Sequence, residues 1–206
     1  MTKVRFKLPV FFLLTVALVV VSILTFKIPS SEPEDLMDYT MDEVIESDLP
    51  VVNEVTTIIN PYLDQSVNIK KGYYDPASDE DSQVSSIVKH DNTYIQNTGI
   101  DYVGNNTFDV VSILNGVVIN VKDDEELGKS VEIRHDNGIV SIYQSLSEVY
   151  VQKDSVVTQG LVIGKSGENK LDKDLGNHLH FEIYDNGQAV NPLNYLNTQI
   201  SLEKGN

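Results

Sequence analysis

The chain contains no cysteine and no tryptophan. Without cysteine there is no disulfide framework, no thiol nucleophile, no iron–sulfur cluster and no cysteine-ligated zinc, and this absence fits either side of a membrane. Basic residues are scarce: 15 Lys and Arg stand against 31 Asp and Glu, a net charge of −16 over 206 residues. Four of the basic residues, Lys3, Arg5, Lys7 and Lys27, fall in the first 30 positions, where there is no acidic residue, so the remainder carries a net charge of about −20. A surface of that sign repels phosphate backbones, and no lysine or arginine stripe with interleaved aromatics is present, which excludes nucleic-acid binding as a main function. Internal repeats and heptads are absent as well. At this length the sequence points to one compact domain with attachments.

What is present begins with an uncharged run of 19 residues, 8–26 (LPVFFLLTVALVVVSILTF). Its helical length of roughly 28 Å nearly matches the hydrocarbon core of a bilayer, which predicts one transmembrane helix. Lys3, Arg5 and Lys7 precede the run and the flank beyond Lys27 turns acidic, so residues 1–7 are expected in the cytoplasm and everything after the run outside. The run is longer than the apolar core of a signal peptide and no A-x-A-like site follows it, so it reads as an uncleaved anchor. Residues 27–50 form an acidic linker, with eight acidic and no basic side chains between 31 and 50 and with Pro33 and Pro50 as punctuation. That composition predicts a solvated spacer or a weak helix.

Residues 51–93 read as an N-terminal extension of the exported domain. In 51–74 the mixture of β-branched and aromatic residues predicts a short strand pair or a helix, and the Ser/Asp-rich stretch 75–86 predicts an exposed loop. From 94 to 196 short β-type runs alternate with turn signals, the pattern of an antiparallel β domain, and 197–206 is a tail. Asn137-Gly138 and Asn186-Gly187 lie between alternating runs and predict hairpin tips with positive φ at both central positions. The fold class expected is therefore mainly β, an antiparallel sheet domain behind a single N-terminal transmembrane helix.

Of the four histidines, only His178 and His180 form a chemical group by spacing. Residues i and i+2 of a strand share a face, so His178, His180 and Glu182 are expected to point one way while Leu179, Phe181 and Ile183 enter the core. An H-x-H pair is a weak metal signal by itself, and a buried pair that merely holds strand and loop together fits the same spacing. His90 and His135 read as surface or packing residues.

The string GNHLHFEIYDNGQAVNPLNYL, preceded by VTQGLVIGKSG, GKSVEIRHDNGIVSIYQSLSEV and NTGIDYVG, resembles the LytM/lysostaphin-type zinc endopeptidases, which cut peptide cross-links in peptidoglycan. The resemblance covers about residues 94–196 and implies an antiparallel LytM-like domain of the duplicated hybrid motif type. It also implies a site: zinc held by the His and Asp of H-x-x-x-D and by the second His of H-x-H, with the first His of H-x-H and a His in Y-x-H-L serving catalysis. Matched position by position, Asp101, His178 and His180 are kept. Asn97 stands at the first zinc ligand and Ser145 at the Y-x-H-L histidine. A neutral amide is a poor substitute for imidazole toward zinc, and a hydroxyl does not titrate near neutral pH. Asp101 and His180 therefore read as vestigial metal positions and His178 as a vestigial catalytic one. No metal or other cofactor is expected, and the domain reads as a degenerate endopeptidase rather than an enzyme.

Within that fold family, the N-terminal anchor, LPVVNEVTTIINPYLDQSVNIKKGYYD, NTYIQNTGIDYVG, VSIYQSLSEVYV and GNHLHFEI followed by NPLNYL resemble the stage II sporulation protein Q (SpoIIQ) family. The resemblance implies a forespore membrane protein whose domain projects into the intermembrane space. It implies a partner there, a SpoIIIAH-like protein in the opposing mother-cell membrane, and a role in engulfment and in an intercellular channel. Two alternatives differ in class. One is a module that binds peptidoglycan or activates a separate wall hydrolase, and the other is an active zinc endopeptidase with an unusual ligand set.

Overall fold

The computed structural model describes residues 54–202; the expected anchor 8–26, the residues before it, the linker 27–50 and the end of the tail lie outside the described residues. Among the described residues no helix is long and apolar enough to cross a membrane. The chain is mainly antiparallel β. It opens with β1 (Glu54–Thr57) and β2 (Asn68–Lys71), then a short helix α1 (Glu80–Ser85), then a hairpin of β3 (Ile87–His90) and β4 (Thr93–Gln96). β5 (Ile100–Val103), β6 (Asp109–Val111), β7 (Gly116–Asp124), β8 (Gly128–His135) and β9 (Val140–Val149) follow. The chain continues through β10 (Val156–Val157), β11 (Val162–Ser166), β12 (Leu179–Asp185), β13 (Gln188–Val190) and β14 (Gln199–Leu202).

The main sheet runs β10-β7-β8-β9-β12-β5-β2, with β11 joining β6 to β9 and β13 flanking β12. β1 and β14 make a separate two-stranded ladder from Glu54↔Leu202 to Thr57↔Gln199. Within 51–74 the strands form as expected but do not pair with each other: β2 joins β5 and β1 joins β14. β12 is a central strand, bonded to β9 on one side and β5 on the other. Its alternation holds, for Leu179, Phe181 and Ile183 are fully buried. They belong to one core with Ile100, Tyr102, Ile133, Tyr143 and Ile163, in which the Tyr143 and Phe181 rings meet at 5.2 Å between centroids. Burial of each such side chain contributes about 1.5–3 kcal/mol.

Two local expectations need correction. The stretch 75–86 is not all loop, because Asp79 caps α1 by accepting from the Ser82 amide at 3.0 Å, and Glu80 and Asp81 sit at the positive end of the helix dipole. The Ser and Asp content that reads as loop also supplies an N-cap. At the second hairpin, Asn186 (φ 49°) and Gly187 (φ 77°) are both left-handed, as expected, but at the first only Gly138 (φ 87°) is. There the Gly138 amide donates to the His135 carbonyl at 3.0 Å and the His135 amide to Ile139 at 2.9 Å. The loop holds three residues and ends in a left-handed glycine, which removes the need for positive φ at Asn137.

Candidate functional site

The site is assembled by register. Asp101 on β5 lies directly opposite His180 on β12, and His180 lies opposite Gln144 on β9. The close approach of β5 to β12 depends on Gly99, where a Cβ would stand 2.3 Å from the Phe181 carbonyl oxygen. With the strands in place, Nδ1 of His180 is 2.7 Å from Oδ1 of Asp101, and Nε2 is 3.1 Å from Oε1 of Glu182. The Thr98 hydroxyl donates to the same Glu182 oxygen. Asp101, Glu182 and His180 are all largely withdrawn from solvent.

These contacts set the charge state. Burial pushes the His180 imidazolium toward losing its proton, but the hydrogen bonds and charges of Asp101 and Glu182 outweigh it and raise the ring to about 10. Burial likewise opposes the charge of Glu182, and the bond to His180 outweighs it, holding that carboxyl below its ordinary range. His180 is thus a buried cation between two anions. Asn97, 2% exposed, closes the remaining side: its Nδ2 donates to Asp101 Oδ2 at 3.0 Å and to the Gly72 carbonyl at 2.9 Å. Its Oδ1 is buried without a hydrogen-bond partner among the described residues.

His178 belongs to a second cluster. It precedes β12 and is held by a single bridge to Gly167. Its Nδ1 donates to the Gly176 carbonyl at 2.7 Å, which leaves Nε2 to accept from the Ser145 hydroxyl at 3.0 Å and from Asn169 Nδ2 at 3.1 Å. Asn169 also donates to Ser145 Oγ at 2.7 Å, and its own Oδ1 takes the Asp172 amide. Hence the two imidazoles do not act together: they share no hydrogen-bond partner. A hydroxyl 3.0 Å from an imidazole nitrogen has the spacing of an activated nucleophile. This one is fully buried in a left-handed residue (φ 62°), and a carbonyl rather than a carboxylate holds the far ring nitrogen.

The family resemblance implies zinc here, and the side chains as arranged do not fit it. A tetrahedral zinc site takes lone pairs from three protein donors. Both nitrogens of His180 are turned onto carboxylates, and the Asn97 amide presents N–H groups to Asp101 where an imidazole lone pair is required. The orphaned Asn97 Oδ1 is a neutral oxygen, a weak donor toward zinc.

Beside the triad lies a cavity of about 180 Å³. Its polar side carries Asn97, Asp101, His180 and Glu182, with Asp172 at the rim, and its apolar side carries Val88, Ile95, Leu127 and Leu171. Asp172 is paired with Lys71. Sequence reasoning missed Asn169, Asp172 and Lys71, which no spacing links to the histidines. It placed Glu182 on the right face without giving it a partner. His135 is a packing residue: it is buried, with Nδ1 2.9 Å from the Asn115 carbonyl and Nε2 2.7 Å from Ser141 Oγ. Burial depresses it to about 4. His90 sits at the rim, its Nδ1 3.1 Å from the Leu171 carbonyl.

Residues 95–192 match Peptidase family M23. Over 101 residues, 49% of this chain and 23% of the relative, the sequence is 37% identical to the DD-carboxypeptidase/endopeptidase Mpg of Neisseria meningitidis serogroup B. The fold is similar to a solved SpoIIQ–SpoIIIAH pore-forming complex, with a TM-score of 0.67 and 39% identity over 68% of this chain and 91% of the solved one. Similarity to the stage II sporulation protein Q of Bacillus subtilis (strain 168) extends well beyond the M23 region, at 32% identity over 205 residues, 96% of this chain and 72% of the relative. Agreement of that depth along nearly the whole sequence makes this chain a member of the stage II sporulation protein Q family.

Proposed function

We propose that the chain is a membrane-anchored, catalytically inactive LytM-like interaction protein of endospore formation. It is held in the forespore membrane by residues 8–26, with its β domain in the intermembrane space, and binds a SpoIIIAH-like protein of the mother-cell membrane. Similarity to the solved SpoIIQ–SpoIIIAH complex supports the partner. The observation that carries the loss of activity is the locked His180, with Asp101 and Glu182 on its two nitrogens and the Asn97 amide on Asp101. Hydrolysis needs an activated water and a group that trades protons near neutral pH. In this reading Asp101, His178 and His180 have become structural, Asn97 and Ser145 have replaced a ligand and a catalytic base, and what the domain offers is its folded surface.

The test is direct. The full chain in detergent micelles is mixed with the exported domain of a SpoIIIAH-type protein and resolved by size-exclusion chromatography with light scattering, and in parallel incubated with purified peptidoglycan. Coelution as a defined complex with no new peptide ends released is expected. Release of cross-link peptides by the zinc-loaded chain, or absence of any complex, overturns the reading.

A further inference from the structure

The cavity beside the triad is not accounted for by an interaction role. Its polar side is unbalanced in two independent ways. Three carboxylates, Asp101, Asp172 and Glu182, border it, against two cations, the His180 ring and the Lys71 ammonium that pairs with Asp172. Even with both counted as charged, one negative charge is left over. In addition, Asn97 lines the cavity at 2% exposure with its amide nitrogen engaged by Gly72 and Asp101, so its Oδ1 is a buried acceptor with nothing to accept. Buried acceptors without partners are rare in folded proteins and mark the place of a missing donor.

The opposite wall is apolar. Val88 and Ile95, facing each other across the β3–β4 hairpin, meet Leu127 and Leu171. A volume of about 180 Å³ exceeds that of cavities known to admit a six-carbon ring, on the order of 150 Å³. The space therefore asks for a group that donates hydrogen bonds, carries a positive charge and trails a short hydrocarbon arm. We propose that this cavity is a binding site for a primary ammonium on a short aliphatic chain, its N–H groups directed to Asn97 Oδ1 and the neighbouring carboxylates and its methylenes against Val88, Ile95, Leu127 and Leu171. A free amine and the amine-bearing side chain of a peptide present the same chemistry. The site does not depend on the partner, so its failure leaves the proposed interaction standing.

The experiment titrates the full chain in micelles, without partner, with n-butylammonium chloride, with acetyl-glycyl-lysyl-glycine amide and with 1-butanol at constant ionic strength, read by isothermal calorimetry. One saturable site per chain for butylammonium is expected, with Kd of about millimolar, the range open to a ligand of five heavy atoms. Butanol, which keeps the arm and loses the charge, should bind at least about tenfold more weakly. Saturation by the lysyl peptide assigns the site to peptide side chains as well; saturation by butylammonium alone assigns it to free amines. Asn97→Ala should weaken butylammonium about tenfold. Because that variant also loses the bonds to Gly72 and Asp101, Ile95→Trp, which fills the apolar end from a hairpin position 37% exposed, provides a second reading and should abolish binding. Absence of saturable heat, equal affinity for butanol, or binding unchanged in both variants overturns the proposal and leaves a water-filled cavity.

Discussion

Asp101 reaches from β5 across the strand pair to His180 on β12, its register partner, and the two side chains close at 2.7 Å. That one contact joins the strand ending the N-T-G-I-D segment to the strand of the H-x-H pair. It uses the two retained metal-type residues on each other.

Removing either member of this pair should cost more than removing both. Asp101→Leu leaves the His180 cation facing only Glu182, and His180→Leu leaves two buried carboxylates unpaired; each should destabilise the domain by about 3–5 kcal/mol. In Asp101→Leu/His180→Leu the sum should fall short of the two single losses by at least about 1 kcal/mol, because the singles share one interaction. Urea unfolding of the four proteins closes the cycle. Strict additivity would show that the two residues are not coupled.

Zinc content should follow position 97. Elemental analysis after incubation with excess zinc and removal of unbound metal should find a negligible amount in the wild-type chain. In Asn97→His it should rise toward one per chain, since an imidazole replaces the amide N–H groups that face Asp101. A stoichiometric wild-type ion that is lost in His180→Ala would show that Asn97 is accepted as a ligand, and with it the inactive reading fails.

Acid should weaken the fold through His135. Burial lowers this ring from 6.5 to about 4, so its contribution is complete above pH 6.5 and declines as the pH falls toward 4, where the folded state also takes up the proton. Between pH 7 and pH 5 the loss should be about 2 kcal/mol. The variant His135→Gln, which keeps a donor and an acceptor near Asn115 and Ser141, should lose that part of the slope in unfolding curves at the two pH values. An unchanged slope would assign the acid sensitivity to other groups.

Gly99→Ala tests how the site is positioned. The new methyl would meet the Phe181 carbonyl at 2.3 Å, and only separation of β5 from β12 relieves it. A loss of about 1–3 kcal/mol is expected, together with a shift of the His180 ring resonances as Asp101 withdraws. Stability loss with unmoved resonances would mean that the clash is absorbed elsewhere.

The legible parts of this fold were those written in local periodicity. Alternation along 179–185 separated Leu179, Phe181 and Ile183 from His180 and Glu182, and Asn186-Gly187 marked a true turn of two left-handed residues. Asn97 and Ser145 could be singled out because a resemblance supplied what ought to stand there. What stayed hidden depends on distance along the chain: Lys71 and Asp172 are 101 residues apart, and the His178 cluster rests on Asn169, which sits in a polar segment with no pattern. His178 itself was misread as sharing a surface with His180 because it lies just before the strand, where alternation has not yet begun. α1 was missed because six exposed polar residues have no apolar face to display.

The β1–β14 ladder has a mechanical consequence. Any tension entering the domain along the backbone from its amino-terminal side meets four register pairs, Glu54↔Leu202 to Thr57↔Gln199, before it reaches the fully buried Ile58, whose amide and carbonyl are tied to Thr198 and Asn197. Under load these pairs can yield in succession while Asp101, His180 and the central sheet keep their places. The ladder is placed to act as an extensible coupling between a pulled tether and a rigid body.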